Sequence, residues 1–165
     1  MNMPCKMRKV FILPNTTSAL VGVYASDDSL EQILKIAPPL SDGLVPKFME
    51  LQENGIEFDT LYFVRGPGSF MALKLIYLFA KTLEISKGVK LYAAHAFNFN
   101  HNTPIKAYGN CYFVQENQKS NAKDYGIVVK RFENIPLMYP CVLPKTLDKS
   151  VFSTTLKPLY LLPPV

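Results

Sequence analysis

The stretch that most restricts what this chain can fold into is Thr60-Leu61-Tyr62-Phe63-Val64-Arg65-Gly66-Pro67-Gly68-Ser69-Phe70. Its first half is β-branched, aromatic and apolar, the composition of a buried strand. Gly66-Pro67-Gly68 must turn the chain, and Ser69 is suited to cap a helix by accepting a backbone N–H. The expected unit is therefore strand, tight turn, helix. From Phe70 to Glu84 that helix is apolar nearly all round. Its polar groups Lys74, Tyr77, Lys81 and Glu84 recur at steps of three, four and three and form one narrow stripe. A helix lying on one sheet needs only one apolar face. The surplus has to be covered by another part of the chain, as in a central core helix, or by a partner.

The turn itself admits two chemical readings. A glycine turn leading into a helix N-terminus can cradle phosphate, because unpaired N–H groups and the helix dipole both favour an anion there. Here Pro67 removes one donor, no Gly-Lys-Ser/Thr follows, and no G-x-G-x-x-G can be written through these residues. The other reading is a plain structural connection between strand and helix.

Outward from this unit, Lys9 to Leu13 and Ala19 to Tyr24 read as two strands joined by a polar turn, hence a hairpin. Asp27-Asp28-Ser29 is expected to cap a brief helix from Leu30 to Ile36, which Pro38-Pro39 stops. A clearer helix follows, with Ser41 or Asp42 as N-cap and Leu44, Phe48 and Leu51 on one face, Val45 and Met49 beside them, ending at Gly55. The long helix ends near Gly88, and Val89 to Ala93 returns as a strand. The order is then β-β-α-β-α-β. Beyond it, Ala107 to Val114 and Tyr125 to Phe132 read as strands around a polar loop, Asn117 to Lys123. The proline-rich end reads as short extended pieces. The Asn-rich stretch near 95–104 suggests a division into an α/β domain, 1–95, and a short β-rich second subdomain, 96–165, leaning on the first.

A chain of 165 residues, 48% hydrophobic and 19% charged, can bury one sizeable core. Nothing in it is long and uncharged enough to span a bilayer, and the basic cluster before Val10 runs into Pro14 too early for a signal sequence, so a cytoplasmic protein is expected. Cys5, Cys111 and Cys141 are widely spaced, and His95 and His101 lack acidic neighbours at ligand spacing, so neither a disulfide framework nor a metal site is expected. Residues 1–95 hold 10 basic and 9 acidic side chains, residues 96–165 hold 8 and 4, so most of the +5 charge lies in the second half. With Tyr108, Tyr112, Phe113 and Tyr125 as stacking surfaces, that half allows an RNA-binding module as one reading, against core aromatics on strands.

The hexapeptide Arg65-Gly66-Pro67-Gly68-Ser69-Phe70 resembles the signature of the bacterial TsaB (YeaZ) family, in which a strand runs into Arg-Gly-Pro-Gly-Ser-Phe-Thr-Gly-Leu-Arg and on into a helix. Leu44-Val45-Pro46 is similar to that family's upstream Leu-Leu-Pro helix, and Pro158-Leu159-Tyr160-Leu161 to its C-terminal Pro-x-Tyr-Leu. The resemblance implies the actin-like, ribonuclease-H-like fold of the sugar-kinase superfamily. It also implies a non-catalytic partner of TsaD in making threonylcarbamoyladenosine in tRNA beside the anticodon, with TsaE completing the machinery. ATP and magnesium would belong to the complex and not to this chain alone. The departures are Leu13-Pro14-Asn15-Thr16-Thr17 where the superfamily carries an aspartate, Met71-Ala72 for Thr-Gly, and a shorter second half. A first hairpin without a carboxylate lacks the metal ligand that phosphoryl transfer needs.

These readings converge on a scaffold subunit that meets TsaD through Leu44, Val45, Phe48, Met71, Lys74, Leu75 and Leu78, and self-associates through the same surface when alone. tRNA is then reached only through the complex. Arg65, Gly66 and Pro67 would touch nucleotide only there. The enzyme alternative, a phosphotransferase or a glycoprotease-like hydrolase, would need a base beside Ser69, for which a helix cap is the competing role.

Overall fold

Strand β1 (Arg8–Pro14) sorts its side chains by parity: Val10 and Ile12 enter one core, Phe11 and Leu13 another. A computed structural model of the chain describes residues 7–15, 18–116 and 126–159. Cys5, Thr16-Thr17, the expected loop at Asn117–Lys123, Tyr125 and Tyr160-Leu161 lie outside the described residues. β1 pairs antiparallel with β2 (Ala19–Tyr24) and parallel with β4 (Phe58–Gly66), and β4 pairs parallel with β5 (Lys90–His95). With β3 (Leu30–Ile36) on the outside, the mixed sheet has the order β3-β2-β1-β4-β5.

The stretch Leu30–Ile36, expected as a brief helix, is strand β3, antiparallel to β2. Leu30, Ile33 and Leu34 do have helical spacing, but one or two isolated helical turns are marginal in water. The backbone groups along the edge of β2 supply partners that such a helix would forgo. Asp27 still accepts the Ser29 N–H, at 3.1 Å, and the Ser29 hydroxyl, at 2.6 Å, but it closes a hairpin turn in which Asp28 has φ 71°.

Helices α1 (Leu40–Glu53) and α2 (Phe70–Lys87) both pack on the core formed by Val10, Ile12, Leu61 and Phe63. They also meet each other, Phe48 against Phe79 with ring centroids 4.7 Å apart. α2 keeps the expected ends: the Ser69 hydroxyl accepts the Ala72 N–H and Gly88 takes the left-handed C-cap at φ 68°. α1 instead begins at Leu40 behind Pro39, which offers no side-chain cap, and Ser41 and Asp42 sit inside its first turn.

The opposite face of the sheet is covered by extended chain. Residues 132–159 return across it, placing Leu143, Leu147 and Phe152 on Phe11, Leu13, Tyr24 and Tyr62. Gly22 is what allows this approach: a Cβ there would lie 2.7 Å from the Tyr24 ring and 3.3 Å from both Leu143 methyls. Tyr24 anchors the strap by donating from its hydroxyl to the Pro144 carbonyl at 2.7 Å. This core draws residues from both sides of position 95.

A second, three-stranded sheet of β6 (Ile105–Tyr108), β7 (Cys111–Gln115) and β8 (Ile127–Arg131) holds Phe97, Phe113 and Ile127. The single strand expected over Ala107–Val114 is a hairpin, because Gly109 at φ 51° and Asn110 form a two-residue loop. No described helix is long and apolar enough to cross a membrane.

Candidate functional site

The turn that leaves β4 is held from behind. Arg65 is only 7% exposed, and its Nε donates to the Lys157 carbonyl at 2.8 Å, while the Leu159 N–H donates to the Arg65 carbonyl at 2.8 Å. Gly66 follows at φ 124°, where a Cβ would meet Leu73 Cδ1 at 3.0 Å; glycine is required there. A Cβ at Gly68 would meet nothing within 4 Å, so no such constraint applies there. His95 pairs with Gly66 across β4 and β5; its imidazole is pushed down to about 4, first by burial and then by the Arg65 charge. The turn therefore holds a neutral histidine at pH 7 beside a buried guanidinium that already serves a backbone carbonyl. Of the cofactor residues expected from sequence, Arg65 and Pro67 are buried and Gly66 is closed against Leu73 and Leu159. Among the described residues no group of three His, Cys, Asp or Glu side chains can hold a metal ion.

The other candidate is the outward side of the two helices. α2 buries Leu73, Ile76, Ala80 and Leu83. On the opposite side Met71, Leu78 and Ile85 recur at intervals of seven and are 63%, 51% and 83% exposed. The polar stripe runs along the flank, where Lys81 pairs with Glu84 at 2.7 Å and Lys74 lies over the Phe70 ring. Solvent thus meets apolar side chains at the crest of this helix. On α1 the residues beside the Phe48–Phe79 contact are Val45 and Met49, 52% and 55% exposed.

Of the expected partner residues, Val45, Met71, Lys74 and Leu78 share this outer surface, with Leu75 half-buried between them. Leu44 and Phe48 do not reach it: they are 3% and 8% exposed and face the sheet, because their three- and four-residue spacing with Leu40 and Leu51 makes the core stripe of α1. Met49, expected only beside the core face of α1, and Ile85 also belong to the surface, although neither is among the expected partner residues. The seven-residue interval from Met71 through Leu78 is the signal that leads to Ile85.

No protein-family model matches the chain, and no curated protein matches it in sequence. Among solved structures it is similar to YeaZ from Pseudomonas aeruginosa, 14% identical, with a TM-score of 0.51 over 81% of this chain and 67% of that one. This chain has the YeaZ fold. A second structure, an uncharacterized protein with similarity to peptidase YeaZ from the same organism, is 13% identical over 83% of this chain and 64% of its own, with a TM-score of 0.49. The chain spans about two thirds of the length of these YeaZ-like structures.

Proposed function

We propose that this chain is a divergent member of the TsaB (YeaZ) family and acts as a non-catalytic scaffold subunit. It docks TsaD and so supports threonylcarbamoyladenosine modification of tRNA beside the anticodon. The observation that carries this reading is the apolar outer surface of α1 and α2, where Val45, Met49, Met71, Leu78 and Ile85 face solvent together. An array of exposed apolar residues on adjacent helices marks a protein interface, and it suits a helical partner that lays its own apolar face along them. The hexapeptide Arg65–Phe70 and the YeaZ fold supply the choice of partner. The sheet flanked by α1 and α2 is read as the ribonuclease-H-like unit of the actin-like superfamily.

On this reading Arg65-Gly66-Pro67 aims α2, and contact with nucleotide arises only in the assembled complex with TsaD and TsaE, where ATP and magnesium would bind. In the absence of TsaD the same surface pairs two copies of the chain. Ser69, the residue a hydrolase would use, serves as the α2 cap.

The test is co-purification of the full chain with TsaD from the same cell. Met71→Asp and Leu78→Asp should each abolish co-elution while leaving the far-ultraviolet spectrum and melting temperature of the free chain unchanged, because an unpaired charge in a helix contact costs about 3–5 kcal/mol, or more than a hundredfold in affinity. Wild-type chain that fails to bind TsaD, or both variants binding as wild type does, would overturn the proposal.

A further inference from the structure

At the other end of the parallel strands from the Gly66-Pro67 turn, a concavity of about 270 Å3 opens between the first sheet and the returning C-terminal chain. Register assembles its cationic edge: Lys9 pairs with Thr60 across β1 and β4, and Thr60 with Lys90 across β4 and β5. Three neighbouring strands thus each send one residue to the face away from the helices. Two residues further along, Tyr62 and Tyr92 pair across the same strands and stack with centroids 5.5 Å apart. Phe152 stands edge-on to Tyr62 at 4.6 Å, and Lys149 closes the ring of lysines.

The charges there do not cancel. Lys9 and Lys149 share one carboxylate, that of Asp28, the first by a direct ion pair and the second at 3.5 Å. Asp59 is engaged by the Thr60 hydroxyl at 2.9 Å. Lys90 has no ion pair or hydrogen bond among the described residues, and neither do the hydroxyls of Tyr62 and Tyr92 have a hydrogen-bond partner among them. Positive charge therefore exceeds negative in a concave site floored by aromatic rings, where the field of like charges is concentrated. Ammonium groups suit phosphate as point charges, and the half-buried rings of Tyr92 and Phe152 offer apolar surface beside them.

We propose that this concavity binds a small phosphomonoester bearing a planar ring, with the phosphate held by Lys9, Lys90 and Lys149 and the ring laid against Tyr92 and Phe152. The volume lies just under the usual range of about 300–1,000 Å3 for ligand pockets, which suits a single-ring ester better than a dinucleotide. The concavity lies on the other face of the sheet from the exposed apolar surface of α1 and α2.

Titration calorimetry of the full chain with phenyl phosphate, inorganic phosphate and phenol tests it, in wild type and in Lys90→Gln, Lys149→Gln and, as a distant control on α1, Lys47→Gln. Phenyl phosphate should bind more tightly than inorganic phosphate, and phenol should give no heat. Lys90→Gln and Lys149→Gln should each weaken phenyl phosphate about tenfold, the worth of one charge-assisted hydrogen bond, and Lys47→Gln should change nothing. Both pocket lysines are exposed, so their variants retain the fold. No binding of phenyl phosphate at about 10 mM would overturn the proposal. So would equal affinity for inorganic phosphate, or affinity unmoved by both pocket variants.

Discussion

Arg65 and Lys157 are joined across 92 residues by one hydrogen bond, the guanidinium Nε donating to the main-chain carbonyl at 2.8 Å. The bond ties the turn that launches α2 to the proline-rich end of the chain, and the Leu159 N–H reinforces it by donating back to the Arg65 carbonyl. A local strand–turn–helix signal is thereby fixed by the most distant part of the sequence.

Replacing Arg65 with methionine keeps the buried aliphatic stem and deletes the donor. The Lys157 carbonyl is left unpaired, and the loss of a charge-assisted bond lowers stability by about 2 kcal/mol. A urea denaturation midpoint reads this directly. Arg65→Lys should not restore it, because a lysine lacks the Nε position of the guanidinium fork.

The two glycines of the turn are not equivalent. Gly66→Ala forces a Cβ into the left-handed region and to 3.0 Å from Leu73, at a cost of about 1–3 kcal/mol. Gly68→Ala meets open space at an ordinary φ and should leave the melting temperature unchanged or slightly raised. Thermal unfolding of the two variants side by side distinguishes them, and equal effects would refute this account of the turn.

Phe48 separates the core from the exposed side of α1. It packs between Phe58 and Phe79, with centroids 5.8 Å and 4.7 Å away, so Phe48→Ala should destabilise the free chain by about 3–5 kcal/mol. Met49→Ala, one residue on and exposed, should change stability by less than about 0.5 kcal/mol. Calorimetric scans of both variants without any partner present make the comparison.

His95 predicts a pH dependence. The unfolded chain binds the imidazole proton near the ordinary value of about 6.5, whereas burial and the Arg65 charge hold the folded value down to about 4. The unfolded state therefore carries more protons between those limits. Stability is full above pH 6.5 and falls as pH drops toward 4, by about 1–2 kcal/mol after allowance for the part of the ring that solvent still reaches. His95→Gln should flatten this slope relative to wild type in urea titrations at pH 7 and pH 5. An identical slope in the two proteins would remove His95 as its origin.

Much of this protein is determined by local sequence. Thr60 to Phe70 specified its strand, turn and helix because each element rests on short-range chemistry: β-branched and aromatic residues, a glycine at positive φ, a serine that can reach the third N–H of the helix. The parity of β1 and β2 likewise names their core residues. Tertiary structure decided what short-range chemistry leaves open. Leu30–Ile36 has helical spacing and becomes a strand because the edge of β2 needs partners. Helix α2 is apolar on nearly every side, and only the position of α1 and the sheet selects Met71, Leu78 and Ile85 as the residues left to solvent. Lys9, Lys90 and Lys149 are scattered along the chain without a motif; parallel register and the returning strap bring them around one concavity, which no reading of neighbours in sequence could supply.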